Sequence, residues 1–503
     1  VSTAVYEREF GPRKSVLLWF LPAQAAAAFT VWAITAGGQV LRAWILTALV
    51  WVMTLPLLVS LEASLLAMMV FEPLRGLLRR AQYLFIDYSS QDPIHVLTPI
   101  VTVFVLVSLV RKRQFTMLWA TPLAGWVSLL ALLYFVEIFN PLQGSIVVGL
   151  SGAMFTLAPL VWFYFGQDIQ DKFVERLLVF VVVVGMVASL WGVYQLVFGY
   201  AAFEQYWISH TEFYNSIAVG HIERALATFS SAEEWGRYTE FGAIAAFGFA
   251  LRQRRPARRF GWIGAGIALI GCVALSGQRA AIFGLMLGLM VLVMMGARNL
   301  GTAIMRMMLL LLPFVLLLVF VKAPETADLF SNDETQTFST ILQHTQRGVL
   351  KPADEDSLQE RFTNWGFLLT QVIPFRPLGS GIGAGTLSEW RFNQDAEDLP
   401  PIDNSILLQG ITCGFPGMLL FVWVVSRGTL NTIQQARRSL PDDPQRITKR
   451  TVAAIMCAMA LNMVFGMTSL LYSVAPLVWL LMGWTSASML RARQETERET
   501  IVI

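Results

Sequence analysis

Apolar runs long enough to cross a bilayer recur along almost the whole chain, separated by short polar loops. A helix needs roughly 20 predominantly apolar residues to span the hydrocarbon core. Candidate spans fall at 15–37, 43–71, 93–110, 115–138, 145–166, 174–198, 237–252, 260–276, 280–297, 304–321, 404–426, 451–467 and 472–490. Of 503 residues, 55% are apolar and 14% charged. The charges gather in loops, a pattern that excludes a soluble multidomain protein. The expected fold is therefore an all-α polytopic membrane protein with about 12–14 transmembrane helices and a large, partly helical outer (periplasmic) loop. The spread in the count comes from run 43–71, which is long and holds Pro56 and Glu62. The segment after it, Pro73-Leu-Arg75-Gly-Leu-Leu-Arg79-Arg80, reads as a basic amphipathic helix lying in the interface over 72–86. The first run, 15–36, is too long for a signal-peptide core and is expected to be a retained span.

Lysine and arginine in short loops set orientation. Arg111-Lys-Arg113, the run from Arg252 to Arg259, and Arg427 with Arg437, Arg438, Lys449 and Arg450 belong on the cytoplasmic side, as does the tail with Arg491 and Arg493. Counting crossings between them places 199–236 and 322–403 outside. The expected organisation is N-terminal helices over 1–198, a first outer site loop over 199–236, central helices over 237–321, a large outer loop over 322–403, and C-terminal helices with a cytoplasmic tail over 404–503. The larger loop holds six basic residues (Lys322, Arg347, Lys351, Arg361, Arg376, Arg391) against thirteen acidic ones. Its net charge of 6 − 13 = −7 agrees with an outer position.

Composition excludes several classes. The net charge of +3 includes no strongly basic face for nucleic acid. Cys272, Cys413 and Cys457 fall in or beside apolar runs, as small buried hydrophobes do. The four histidines have no metal-ligand spacing, and no metal or other cofactor is expected. Asp354-Glu-Asp356 has the spacing of a metal–nucleotide-sugar motif. Nucleotide sugars are cytoplasmic while this loop is expected outside, so it reads as solvated charge.

Three outer loops carry the candidate chemistry. One holds His221-Ile-Glu223-Arg224-Ala-Leu-Ala227-Thr228-Phe229 and Glu233-Glu234-Trp235-Gly236-Arg237; the second is the turn Ser276-Gly-Gln-Arg279. The third is the long loop, in which Arg361 and Trp365 are four residues apart and so share a helix face. A single arginine beside a membrane snorkels to lipid phosphates. Three arginine-bearing loops returning to one bundle face suit a diphosphate, because the guanidinium fork binds phosphate bidentately and stays charged. Gly379-Ser-Gly-Ile-Gly383 lacks the Lys-Ser/Thr of a phosphate loop and the strands of a dinucleotide fold, and reads as a tight turn against the bundle. Trp365 and Phe367 suit either packing or a sugar ring. Asp403, just before Asn404-Ser405, has two open roles: N-cap of the following span, or general base with a pKa raised by partial burial.

These residues resemble the superfamily of O-antigen ligases and O-antigen polymerases, bacterial membrane glycosyltransferases that use undecaprenyl-diphosphate-linked glycans. The matching residues are Arg224 with Ala227-Thr228-Phe229, Ser276-Gly-Gln-Arg279, Arg361 with Trp365, Pro377-Leu-Gly379-Ser-Gly381-Ile-Gly383, and Asn404 followed by Gly410 and Gly414, with Asn140-Pro141 before Gly149 and Gly152 as a fainter match. The resemblance covers roughly 135–490. It implies a metal-independent transfer at the outer face of the inner membrane, with an acceptor hydroxyl attacking the anomeric carbon and inverting it. Arg279 and Arg361, with Asp403 as base, become the expected catalytic residues. Arg224, Arg237, Arg376, Trp365, Asn404 and Glu223 become the expected binders of diphosphate or glycan. The expected partners are the undecaprenyl-diphosphate-linked glycan, membrane lipid, and a chain-length regulator or other assembly protein. Ligases of this group resemble one another in a His-Asn pair where this chain has Asp403-Asn404, and many members have Asn where this chain has Glu233-Glu234. The missing histidine favours polymerisation of lipid-linked repeat units over ligase-type transfer to lipid A core or protein. A transporter or flippase is the competing class, but transporters carry charges mid-membrane. Here the span interiors read as nearly charge-free, with Glu62 the main exception.

Overall fold

The computed structural model describes residues 40–88, 92–113, 116–211, 218–219, 222–297, 299, 301–308, 356–393, 399–440 and 442–502. Span 15–37, residues 309–321 of the next-to-outer-loop span, loop residues 322–355 and His221 lie outside the described residues. Seven described helices are long and apolar enough to cross a bilayer, and two shorter apolar ones, Ile94–Val110 and Pro122–Glu137, accompany them. The described residues are all-α except for a short antiparallel ribbon, β1 (Ala218–Val219) with β2 (Ile222–Glu223).

In chain order the helices are α1 (Val40–Thr54), α2 (Leu61–Ala81), α3 (Leu97–Arg113), α4 (Pro122–Glu137), α5 (Ile146–Asp168), α6 (Asp171–Phe198), the short α7 (Ala202–His210), α8 (Ala232–Arg252), α9 (Pro256–Leu275) and α10 (Arg279–Gly296). The long loop contributes α11 (Asp356–Phe367) and α12 (Leu387–Phe392). The chain ends with α13 (Ser405–Arg438), α14 (Arg446–Val464) and α15 (Ala475–Val502). Successive long helices alternate in direction, so the starts of α8, α10, α13 and α15 and the ends of α6, α9 and α14 share one end of the bundle. The basic loops between α8 and α9 and between α13 and α14 lie at the other.

Small residues set the packing, as they do where no hydrophobic drive separates helix from lipid. A Cβ on Gly166 of α5 would sit 2.0 Å from the Leu480 carbonyl oxygen of α15, and one on Gly483 would sit 1.9 Å from that of Phe163. These two backbones therefore touch. Helix α8 is buried along nearly its whole length because Gly242, Ala243, Ala245, Ala246 and Gly248 let neighbours approach from every side. Helix α13 runs past the expected end of its span to Arg438, and it breaks at Gly414, whose φ is +67°. The break frees carbonyls of the preceding turn. Ser380 N–H donates to Ile411 O (2.8 Å) and Gly381 N–H to Thr412 O (3.0 Å), so the glycine turn caps the broken helix. That is the tight turn the sequence pattern calls for.

Two expectations need correction. Run 43–71 divides after a 3-10 turn at Leu55–Leu58, and α2 restarts behind the Ser60 N-cap. The segment expected at the membrane interface is the second half of α2. It is packed into the protein, with Glu72, Pro73, Arg75, Gly76 and Arg80 all buried. The span interiors are consequently not charge-free. Alongside these, α8 buries Arg237 and Glu240. Glu62 is instead in the first turn of α2, where it accepts from Gln170 N–H (3.3 Å). A basic stripe cannot be assigned to solvent or to protein until its partner carboxylates, here Glu204 and Glu234 far away in sequence, are in place.

The partner of α2 is the segment 224–230. Thr228 inserts into the α2 ladder between the Pro73 carbonyl and the Leu77 N–H. Its hydroxyl donates to Pro73 O (2.6 Å), and its carbonyl accepts from Leu77 N–H (2.8 Å). Gly76 permits the approach, since a Cβ there would lie 2.1 Å from the Phe229 carbonyl. Gly76→Ala should therefore force α2 off this segment and destabilise the protein by about 2–3 kcal/mol, the upper range for overpacking. Gly264→Ala, with nothing within 4 Å of the added atom, is the matched control. Thermal unfolding of the two variants in one detergent checks this, and equal midpoints would contradict it.

Candidate functional site

The segment from Arg224 to Phe229 crosses the polar end of the bundle and is held by buried side chains. Ala227 has φ +51°, a left-handed conformation uncommon for a residue with a side chain. Gln195 of α6 secures it, with its Oε1 accepting from Leu226 N–H (3.0 Å) and Ala227 N–H (2.7 Å). Arg80 donates to the carbonyls of Ala227 and Phe229, the latter at 2.7 Å, and pairs with Glu204 at 2.9 Å. Gln195 Nε2 donates to the same carboxylate (2.8 Å). The carboxylate and the guanidinium are both buried, and their bonds to each other and to backbone offset the desolvation that burial imposes.

That scaffold presents Arg224. Its side chain is half-buried, and Nε has no hydrogen-bond partner among the described residues. Burial, then the charges of Arg279 and Arg361, push its guanidinium pKa below the usual arginine range, with Glu233 opposing. Three loops far apart in sequence thus bring three cations into one another's field. Arg279 is the first residue of α10, behind the turn Ser276–Gln278. Gly277 takes φ +67° there, and the turn rests on Gly236 of α8, where a Cβ would lie 2.6 Å from Ser276 Oγ.

Arg361 stands on α11. The following π-turn carries Leu368 and Val372, which with Ile373 pack against Leu407, Leu408 and Ile411 of α13. The long loop therefore folds back onto the bundle. Arg361 Nε pairs with Asp403 Oδ2, and Trp365 Nε1 donates to Asp403 Oδ1 (2.9 Å). The i, i+4 spacing of Arg361 and Trp365 brings both to the same carboxylate. Trp365 also packs with Phe362 and Phe465. Asp403 does not cap α13. Asn404 does, its Oδ1 accepting from Ile406 N–H (2.8 Å) and Leu407 N–H (3.0 Å). Of the two roles open for Asp403, the cap therefore belongs to its neighbour, and Asn404 has a structural role.

The remaining candidates divide. Glu223 closes β2 directly before Arg224. Arg376 donates to Ser380 Oγ (3.1 Å) on the glycine turn. Arg237 does not reach the surface. It is buried against Asn462 of α14 and Glu233 (3.5 Å), so it supports Glu233 from below. A substrate contact for Arg237 is not supported, because helical periodicity turns the residue into the bundle. Sequence reasoning missed the layer beneath the site: Arg75, Arg80, Gln195, Glu204 and Asn462. Only the Thr228 of the family pattern hinted that the segment docks on another helix. Among the described residues, no group of three or more His, Cys, Asp or Glu side chains could hold a metal ion.

The arrangement is a half-exposed cluster of guanidinium groups with Glu233 acting on Arg224 and Asp403 at its edge, the latter bonded on both oxygens. Comparison with known proteins matches part of this site. A search of curated proteins gave no match. A protein-family profile described as O-antigen ligase matches residues 264–422, the stretch from α9 through α10 and the long loop to α13. It includes Arg279, Arg361, Trp365, Arg376, Asp403 and Asn404, and it leaves out Arg224, Arg237 and Glu223. Over residues 264–422, then, the chain is similar to the O-antigen ligase family, which is consistent with the superfamily of O-antigen ligases and polymerases.

Proposed function

We propose that the protein polymerises lipid-linked oligosaccharide repeat units into a cell-surface polysaccharide by glycosyl transfer from undecaprenyl diphosphate. The observation that carries this is the mutual field of Arg224, Arg279 and Arg361. Like charges held together at the edge of a low-dielectric bundle are unfavourable until an anion joins them, and a diphosphate presents several oxygens to guanidinium forks. The arginines would hold the donor and stabilise the charge that develops on the leaving diphosphate. No metal is required by this scheme, since the three cations supply the counter-charge. Positioning of the acceptor hydroxyl against the anomeric carbon would provide much of the remaining rate.

Asp403 is the proposed base at the edge of the cluster, with Arg361 and Trp365 fixing its orientation. Glu233 is the alternative: it sits in the first turn of α8, part-exposed and close enough to act on Arg224. The site faces the periplasm in this scheme, because arginines and lysines gather at the opposite end of the bundle. Ligase-type transfer to lipid A core or protein is the second reading. The Asp403-Asn404 pair stands against it, since the ligase pattern has histidine first. A transporter is the reading of another class. The buried charges of α2 and α8 lend it some ground, but Arg75 and Arg80 are tied to carboxylates and backbone rather than lining a passage.

Purified protein given a lipid-linked repeat unit should yield a ladder of products. A single product on a second lipid or protein would instead indicate a ligase, and glycan movement across liposomes without product would indicate a transporter. Arg279→Lys and Arg361→Lys keep charge and lose the fork, and each should lower the transfer rate on the order of a hundredfold with normal expression. Asp403→Asn should leave stability within about 1 kcal/mol, since the Asp403–Arg361 pair is part-exposed and Asn404 does the capping. Product should nevertheless disappear; a full ladder from Asp403→Asn would move the base to Glu233. Thr363→Cys should react with an impermeant thiol reagent on intact spheroplasts and Asp442→Cys should not. The reverse pattern would overturn the orientation.

A further inference from the structure

A cavity of about 430 Å³ lies at the same end of the bundle, outside the arginine cluster. It is partly open and is lined by Arg42 of α1, by Tyr83, Phe85 and Asp87 of the turn after α2, and by Tyr206 of α7. Its size falls in the range of small-ligand pockets, about 300–1,000 Å³.

The lining is built, not incidental. Tyr83 stacks with Tyr88 (5.7 Å between centroids) and packs on Tyr206 (6.1 Å), which in turn packs on His210 (4.3 Å). Arg42 is 1% exposed, and its guanidinium lies 5.6 Å from the Tyr83 ring centre. Its Nη2 donates to the Asp87 carbonyl, while Nε and Nη1 have no hydrogen-bond partner among the described residues. A buried guanidinium with two undirected donors is expensive unless an acceptor visits it. Phe85 is 78% exposed at the rim, although a large aromatic ring gains nothing from water.

Flat aromatic faces beside a guanidinium and a carboxylate form the chemistry that recognises a pyranose. The C–H face of the sugar stacks on a ring, and its hydroxyls bridge donor and acceptor. The cavity also connects physically to the arginine cluster. Tyr83, Trp207, Ile208 and Leu226 form one apolar core, with Tyr88, Tyr200 and Tyr206 packed on it. Leu226 is two residues from Arg224, and the Tyr200 hydroxyl donates to the Arg224 carbonyl.

We propose that this cavity is a sugar-binding subsite that holds the glycan of the acceptor while the arginine cluster holds the diphosphate of the donor. The proposal rests on the glycan-transfer reading and names where a second polysaccharide chain would lie. Occupation by a uronic or otherwise acidic sugar would direct its carboxylate to Arg42; a neutral sugar would use hydroxyls.

The probe is the lipid-free, phosphate-free repeat-unit oligosaccharide prepared from the source organism's own surface polysaccharide. It is titrated by saturation-transfer NMR into the full-length protein in lipid nanodiscs. Phe85→Ala and Asp87→Asn alter side chains of exposed residues and should fold normally. Each should bind the oligosaccharide about tenfold more weakly than the unaltered protein, the loss expected for one good polar or stacking contact. Absence of binding by the unaltered protein would overturn the subsite. So would equal affinity in both variants, or displacement of the sugar by nanodisc phospholipid with no effect of either variant. The ladder assay, run in parallel, separates the two ideas. Sugar binding sensitive to Phe85 and Asp87 without any ladder would retain the subsite and remove polymerisation.

Discussion

Arg224, Arg279 and Arg361 are held within one another's electrostatic reach, and much of the surrounding architecture is what makes that arrangement tenable. Each cation comes from a different loop, so no local sequence preference brings them together. The repulsion is met by rigid placement: a segment clasped from below, a turn seated on Gly236, and a loop helix anchored through Leu368 and Ile373 to α13. Arg361 is paired with the carboxylate of Asp403, and Glu233 acts on Arg224. Cations brought this close favour an anion beside them, which is the basis of the proposed diphosphate site.

Beneath the cluster the polar layer does the holding. Thr228 bridges the Pro73 carbonyl and the Leu77 N–H of α2, and Arg80, Gln195 and Glu204 grip the carbonyls and amides around the positive-φ Ala227. Arg75 bridges from the same helix to Glu234 at 3.5 Å and lies over the Tyr472 ring at 4.5 Å. Backbone left irregular at membrane depth must find partners within the protein. Here arginines that look like membrane-surface anchors supply them. Leu226 of the same segment shares an apolar core with Tyr83 of the aromatic cavity, so the two ends of the proposed reaction are packed against one clasped stretch of chain.

Span existence and fold class were legible from the apolar runs, because bilayer thickness translates directly into run length. The tight turn at Gly379–Gly383 and the shared helix face of Arg361 and Trp365 were legible for similar reasons, since glycine conformation and helical period are local properties. The sequence left Asp403 open between capping α13 and acting as a base. Asp403 and Asn404 both cap well, and only the pull of Arg361 and Trp365 on Asp403 decides between them. Arg237 was misplaced because the helix was expected to start at residue 237, at the edge of the outer loop; α8 starts at Ala232, one turn earlier, and the helix turns Arg237 inward.

By itself the sequence determined the membrane-spanning class, the clustering of basic loops at one end, and the residue types that a phosphate-binding site needs. Each of these depends on composition or short-range periodicity. The tertiary structure alone decided which arginines are structural and which remain at the site. Arg75, Arg80 and Arg237 look no different in sequence from Arg224, Arg279 and Arg361. The distinction arises from carboxylates and carbonyls more than a hundred residues away, Glu204, Glu234, Phe229 and Asn462. A charge takes its role from the groups that surround it, and in a helical bundle those groups are chosen by packing rather than by neighbourhood along the chain.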